Sequence, residues 1–409
     1  EFRRVLFRSK TAQKQRRVGY KLMILSIIVP VYNMASEGKL AFCLDSLVNQ
    51  TIKDYEIIAV DDCSTDRSNE ILSDFANKDF RIKLVRHNIN KGLVAARKTG
   101  VNRAKGEYVG FVDGDDWIEP EMYDSLYALA TEHDADMVSS GYILEGGYVS
   151  EEYDSVDEGF YGSDRRQEIL DKLIFNMPHK DLGIRGSLCC KLFRRELLVD
   201  VQNRIPDEIT YSEDKMCVLT FALECRSIYV VRKAWYHYMI NSSSMTHEAN
   251  VDYLDKVNAV YRYLISLYPN PDFTESMRVQ AELYITQLLI KGINNLIGFS
   301  VKNLMWIGTE WMHKIPGGSR VLLYGEGELC KTYERLINRN NKLVLAGVVS
   351  SAADVGSFDY DYIVITYKYV PKVDEIKKEL LQTGILDERI LWFEQKEIFW
   401  NFAESAGLC

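Results

Sequence analysis

Residues 106–120 read GEYVGFVDGDDWIEP. Within them, Tyr108-Val109-Gly110-Phe111-Val112 is a continuous apolar run, the pattern of a short strand buried on both faces. The run ends in Asp113-Gly114-Asp115-Asp116. Three carboxylates within four residues repel one another at close range, and holding them in a buried crevice is costly without a cation. A divalent metal that is itself held by donor phosphates relieves the conflict, because Mg2+ and Mn2+ take hard oxygen ligands and bridge phosphate oxygens. Gly114 lets the backbone approach a ligand closely. A solvated acidic turn is the plainer alternative for such a cluster, and its position straight after a buried strand weighs against it.

The same alternation extends on both sides. LSIIVPV (25–31), YEIIAV (55–60) and IKLVR (82–86) read as strands. Between them lie helical stretches at 39–50, from an N-cap at Ser64 or Thr65, and at 93–104. After the acidic cluster, Pro120 opens a helix to about 133, and MVSSG (137–141) is a fifth strand. Five strand–helix alternations at crossover spacing predict an α/β fold with a doubly wound, mostly parallel sheet. Ligands bind such sheets at the carboxyl ends of the strands, where the acidic residues fall.

Beyond the fifth strand the pattern loosens. Residues 142–187 are Gly- and Tyr-rich and read as loops over the site. Residues 251–312 are helical in pattern, with Leu283, Tyr284, Gln287, Leu288 and Lys291 in register. Pro316-Gly317-Gly318 is a break, and 320–395 return to strand–helix alternation. The expected organisation is a basic tail at 1–22, non-native or disordered; a catalytic domain at 23–246; a helical linker region at 247–317; and a small Rossmann-like α/β domain at 318–409.

The chain of 409 residues has a formal net charge of −9. Residues 1–22 carry +7 and the remainder −16. An acidic body excludes nucleic acid as a partner, which needs a cationic surface. Eight cysteines form no C-x-x-C pair and no zinc spacing, which fits reduced thiols in a cytoplasmic protein. There is no run of about 18 apolar residues to span a membrane.

Four more clusters could carry chemistry. Asp61-Asp62 ends the second strand, where acids can bind a base or ribose or cap the next helix. Glu213-Asp214 leads an apolar helix. One of the pair can serve as a general base toward a sugar hydroxyl, and such a pair also serves as a helix N-terminal cap. His237 lies in YHY (236–238). A lone histidine is usually structural, but near a D-x-D it is a candidate metal ligand that suits Mn2+ better than Mg2+. Gly325-Glu326-Gly327 follows a strand, but Cys330 stands where a dinucleotide fingerprint has glycine.

Taken together, IIVPVYN (27–33), LDSLVNQT (44–51), EIIAVDDCSTD (56–66), NKGLVAARKTG (90–100) and GEYVGFVDGDDWIEP resemble the inverting family-two glycosyltransferases of GT-A fold. CCKLFRREL (189–197), SEDKMCV (212–218) and YHYMINSSSMT (236–246) resemble the later motifs of bacterial members that build surface polysaccharides. The resemblance covers about 23–246. It implies that Pro30 and Tyr32 flank the nucleobase, that Asp62 hydrogen-bonds it, that Lys91 and Arg97 contact the donor, and that Asp113 lies near the ribose. It makes Asp115 a metal ligand with His237 as a further one, Asp214 the base, and Glu213 its orienting neighbour; Lys191 matches a motif position without an assigned role. The implied reaction is metal-dependent (Mn2+ or Mg2+) transfer from a nucleotide-diphosphate sugar, with a UDP-sugar the first candidate, to a glycan, polyol-phosphate or lipid-linked hydroxyl. Peripheral association with the inner face of the cell membrane and self-association stay open.

Three other readings compete. A nucleotidyltransferase would need a Gly-rich basic loop after the first strand, where this chain has YNMASEGK. A non-catalytic nucleotide-binding or scaffold protein would not need an intact D-x-D, acid pair and histidine together. An NAD-dependent C-terminal domain is disfavoured by Cys330.

Overall fold

The structure is a computed structural model that describes residues 23–146, 148–179, 181–240, 252–297, 310–340, 342–367 and 370–393. The basic tail, residues 241–246 of the last motif and residues 298–309 of the helical stretch lie outside the described residues. The chain divides into two compact units, Glu1–Gly298 and Phe299–Cys409.

In the first unit, β1 (Leu25–Val31), β2 (Tyr55–Asp61), β3 (Ile82–Arg86) and β4 (Tyr108–Phe111) pair in parallel in the order β3-β2-β1-β4. Every residue of β1 and β2 is buried, which is why these strands read as unbroken apolar runs rather than alternating ones. The crossovers are α1 (Lys39–Val48), α2 (Ser68–Lys78) and α3 (Leu93–Arg103). Register sets Val31 beside Asp61 and Ile28 beside Phe111, so the acidic residues after β2 and β4 leave the sheet at the same edge. Helix α2 starts later than the sequence suggests. Ser64 and Thr65 instead hold the turn after β1: Ser64 Oγ accepts from Asn33 N at 3.0 Å, and Thr65 N donates to Asn33 Oδ1 at 2.9 Å.

Past β4 the sheet turns mixed. The elements that follow are β5 (Trp117–Ile118), α4 (Met122–Glu132), β6 (Met137–Gly146), β7 (Tyr148–Glu152), β8 (Gly159–Tyr161), α5 (Arg166–Leu170), β9 (Phe175–Asn176), β10 (Asp181–Leu182), β11 (Lys191–Arg194), α6 (Arg195–Arg204), α7 (Glu213–Glu224) and β12 (Ile228–Met239). The expected fifth parallel strand, β6, does not lie against β4. Antiparallel β11 comes between them, with Leu192 opposite both Gly110 and Val138. Strand β12 runs parallel to β6 and places Tyr236 and His237 opposite Ile118 and Trp117 of β5. Part of the stretch expected as loops, 142–187, therefore forms strands. Strands β11 and β12 escaped the sequence reading because CCKLF and WYHYM mix polar and apolar residues without a clean period. Helices α8 (Tyr253–Leu267) and α9 (Glu275–Ile297) complete the unit, joined by a hydrogen bond from the Tyr253 hydroxyl to Leu288 O at 2.8 Å.

The first described element of the second unit is the short α10 (Glu310–His313). Its sheet is β13 (Arg320–Tyr324), β14 (Val344–Val349), β15 (Tyr362–Ile365) and β16 (Ile390–Trp392), all parallel in the order β14-β13-β15-β16. Val321, Leu323 and Val364 face a core with Cys330, Tyr333 and Ile337 of α11 (Gly327–Asn340). Leu322, Tyr324 and Ile365 face one with Val373, Ile376 and Leu380 of α12 (Val370–Gln382). The alternation of side chains along a strand thus gives each face its own helix. Cys330 is a core residue here.

Candidate active site

The loop between β4 and β5 carries Asp113, Gly114, Asp115 and Asp116. Asp116 is buried and tied to β12 on two sides: the Tyr236 hydroxyl donates to its Oδ2 at 2.6 Å and Met239 N to its Oδ1 at 2.8 Å. The Tyr236 oxygen also accepts from Asp113 N at 3.2 Å. Burial first, and then the charges of Asp113 and Asp115, hold the Asp116 carboxyl well above the usual carboxylate range. The electrostatic conflict read from the sequence is therefore present in the fold. Among the described residues no three His, Cys, Asp or Glu side chains form a complete metal set. The donors that are present are hard carboxylate oxygens, which fits a Mg2+ or Mn2+ ion that takes one or two protein ligands and completes its shell with phosphate oxygens and water.

The acid pair opens α7. Arg97, on α3, crosses to it from the other cluster: its guanidinium lies 3.2 Å from Asp113 Oδ1 and 3.1 Å from Glu213 Oε1, and it also pairs with Asp214. Arg97 is 2% exposed, and its Nε has no hydrogen-bond partner among the described residues. Burial, followed by the Asp214 charge, pushes the Glu213 carboxyl up to about 7 against the pull of Arg97. Burial also raises Asp214, again opposed by Arg97. Two acids and one arginine make a compact group able to accept a proton near neutrality. Arg97, expected to touch the donor, is instead committed to carboxylates of both clusters.

Asp62 departs from its expected role. Its Oδ1 lies 2.6 Å from His87 Nδ1 and accepts from Lys91 N at 2.9 Å; its Oδ2 accepts from Lys91 N at 3.1 Å and from Gly92 N at 2.7 Å. A carboxylate with both oxygens so engaged clamps the loop into α3 and is not offered to a base. Pro30 is buried, Tyr32 is 44% exposed at the end of β1, and Lys91 is exposed.

His237 is likewise engaged by neighbouring side chains. Its Nδ1 lies 2.5 Å from Glu145 Oε1, its Nε2 lies 3.1 Å from Glu119 Oε1, and its ring stacks on Trp117 at 3.5 Å and 14°. Both nitrogens face carboxylates, so the ring pins β5 and the end of β6 to β12.

Residues the motifs left without a role support the floor. Lys191, fully buried, donates to Ser187 O at 2.8 Å, and Lys215 donates to Ile184 O at 2.6 Å. Burial, with Lys191 nearby, lowers Lys215 to about 7. Tyr236, Glu119 and Glu145 gave no sequence signal as partners, because their contacts span 92 to 120 residues.

The Glycosyl transferase family 2 model matches residues 26–201. The chain is 30% identical over 275 residues to the uncharacterized glycosyltransferase EpsJ of Bacillus subtilis, covering 64% of this chain and 74% of that one. It is 33% identical over 224 residues to a poly(ribitol-phosphate) beta-glucosyltransferase of Bacillus spizizenii, covering 53% of this chain but 32% of that longer one. The structure of S. aureus TarS 1-349 in complex with UDP-GlcNAc superposes with a TM-score of 0.51 at 25% identity, covering 71% of this chain and 78% of that one. A curled, mostly parallel sheet ending in an acidic loop, a match to the family model and 30% identity across most of a relative lead to one assignment: the chain belongs to glycosyl transferase family 2, with the GT-A fold.

Proposed function

We propose that this glycosyltransferase moves a sugar from a nucleotide-diphosphate donor to an acceptor hydroxyl with inversion at the anomeric carbon. A UDP-sugar is the donor favoured by the UDP-GlcNAc complex of the TarS neighbour. The carrying observation is the convergence, through Arg97, of the loop at 113–116 with the acid pair. In this reading the acceptor hydroxyl loses its proton to Asp214 as its oxygen attacks the anomeric carbon and the glycosyl–phosphate bond breaks. Glu213 shares the charge and orients Asp214. Arg97 keeps two acids and Asp113 together without leaving an excess of buried negative charge. Tyr32, exposed just past β1, offers an aromatic face to a nucleobase, with Pro30 buried in the strand before it and Lys91 near the donor. Asp115, with diphosphate oxygens, would hold a Mn2+ or Mg2+ ion, which supplies charge stabilisation for the leaving diphosphate.

A cavity of about 620 Å³ lined by Glu208, Thr210, Asp255, Asn258, Arg262 and Tyr263, among others, opens between the segment 206–210 and α8, and neither acid of the pair lines it. A glycan or polyol-phosphate acceptor fits a relative named as a poly(ribitol-phosphate) beta-glucosyltransferase.

The test is a thermal-shift screen of nucleoside diphosphates and nucleotide sugars with and without Mn2+, since a ligand of the folded state raises the melting midpoint by mass action. A Mn2+-dependent shift with one nucleotide that disappears in Asp115→Ala is expected. No shift with any nucleotide would instead favour a non-catalytic scaffold.

A further inference from the structure

We propose that Tyr284, on α9, is a positioning residue for the acid pair: it fixes Ser212, and through Ser212 the first turn of α7 that presents Glu213 and Asp214. The proposal rests on the reading of Asp214 as the base. Ser212 is the N-cap of α7, with φ 62° and ψ 21°. A serine at this position ordinarily has extended backbone, and its oxygen accepts from an N–H of the first turn. Here the backbone is left-handed, a conformation a non-glycine residue keeps only when its surroundings impose it. The hydroxyl makes no cap to the helix. It accepts instead from the Tyr284 hydroxyl at 2.9 Å.

The grip extends one residue back. Tyr211 meets Tyr253 of α8 edge-on at 5.5 Å, and Tyr253 is itself tied to Leu288 O on α9 at 2.8 Å. Both residues that lead into Glu213 are thus held from the helical pair rather than from the sheet. Tyr284 is 8% exposed, and its ring lies 6.4 Å from Phe175. A buried tyrosine hydroxyl needs a partner. The partner here is the hydroxyl of the residue whose left-handed backbone begins α7. The region expected as a helical linker contributes, in α8 and α9, to the same compact unit as the acid pair.

The experiment uses the full chain with UDP-GlcNAc and Mn2+ as the probe and water as the glycosyl acceptor, reading UDP released by hydrolysis, donor KM and melting midpoint for Tyr284→Phe, Ser212→Gly, the double variant and Asp214→Asn. Tyr284→Phe keeps the ring and removes the hydroxyl. Ser212→Gly keeps the left-handed backbone at no steric cost and removes the acceptor. Each single variant is expected to lower kcat by about tenfold or more, as small displacements of a reacting group do, with donor KM unchanged. The double variant should be no slower than the slower single one, because both remove one interaction, and the pH profile of kcat should move in both singles. Full kcat in Tyr284→Phe beside an inactive Asp214→Asn overturns the positioning role while leaving the base in place. A loss that appears only in KM, or losses that add in the double variant, also overturn it. Full activity in Asp214→Asn removes the base assignment, and the proposal with it.

Discussion

Arg97 is where the two acidic clusters become one site. Its partners come from the loop at 113–116 and from the first turn of α7, more than 115 residues away in sequence. Removing one member of a buried ion-paired group leaves the others uncompensated. Arg97→Gln should therefore lower the melting midpoint as well as activity, whereas Asp214→Asn should lower transfer by a factor of roughly 10² to 10⁴, the range of general-base catalysis, and leave the nucleotide-induced thermal shift intact. Glu213 permits a separate check. Its folded pKa of about 7 lies above the ordinary 4.5, so the folded state holds this proton more tightly than the unfolded one. Its contribution is present below about pH 4.5 and is lost as pH rises through about 7. Across that window the wild type should lose stability relative to Glu213→Gln, as read from melting midpoints at matched pH. Parallel curves for the two proteins would mean that Glu213 titrates at its ordinary value.

The elements are positioned by close approaches that small residues allow. Gly106 turns the chain into β4 against the start of β1, and a Cβ there would stand 2.5 Å from the Leu25 carbonyl carbon and Ser26 nitrogen. Neither backbone atom can yield without moving β1, so Gly106→Ala should destabilise by about 1–3 kcal/mol, the usual cost of overpacking, measurable by denaturant titration. Its neighbour Gly110 is different, because the nearest atoms to an added Cβ belong to the Tyr123 ring, 2.4 Å away. Strand β11 shows the opposite side of element placement. It fills the gap between β4 and β6 with Lys191 as its first residue, and the segment before it carries Cys189 and Cys190 and reaches the acid pair where Leu188 N donates to Asp214 Oδ2 at 3.4 Å. Both cysteines are buried, and burial raises their thiols, so they remain protonated packing residues rather than nucleophiles.

At the scale of the molecule, each unit has its own sheet, mixed in the first and all parallel in the second, and its own core. If nucleotide binds where the acidic residues gather, hydrogen exchange with UDP and Mn2+ should slow in peptides covering 23–33, 106–120 and 205–224, and stay unchanged in those covering β13–β16. Protection confined to β13–β16 would move the nucleotide to the second unit and overturn the site proposed here. Among the described residues no helix is long and apolar enough to cross a membrane.

The sequence by itself determined the strands of the parallel half and where the acidic residues gather, because a strand buried on both faces must be continuously apolar and the acids that follow it must leave the sheet at one edge. Tyr108–Val112 and Asp113–Asp116 carry that information within nine residues. The sequence also marked Glu213 and Asp214 as candidates, since an acid pair before an apolar helix is a local pattern. Only the tertiary structure decided what the acids face. Asp62 turned inward to the 91–92 amides, His237 fell between Glu119 and Glu145, Arg97 bridged the two acidic clusters, and Tyr284 reached Ser212. Each of these contacts joins residues far apart in the chain, and the identity of a side chain's partner follows from how strands and helices pack rather than from the residues beside it in sequence.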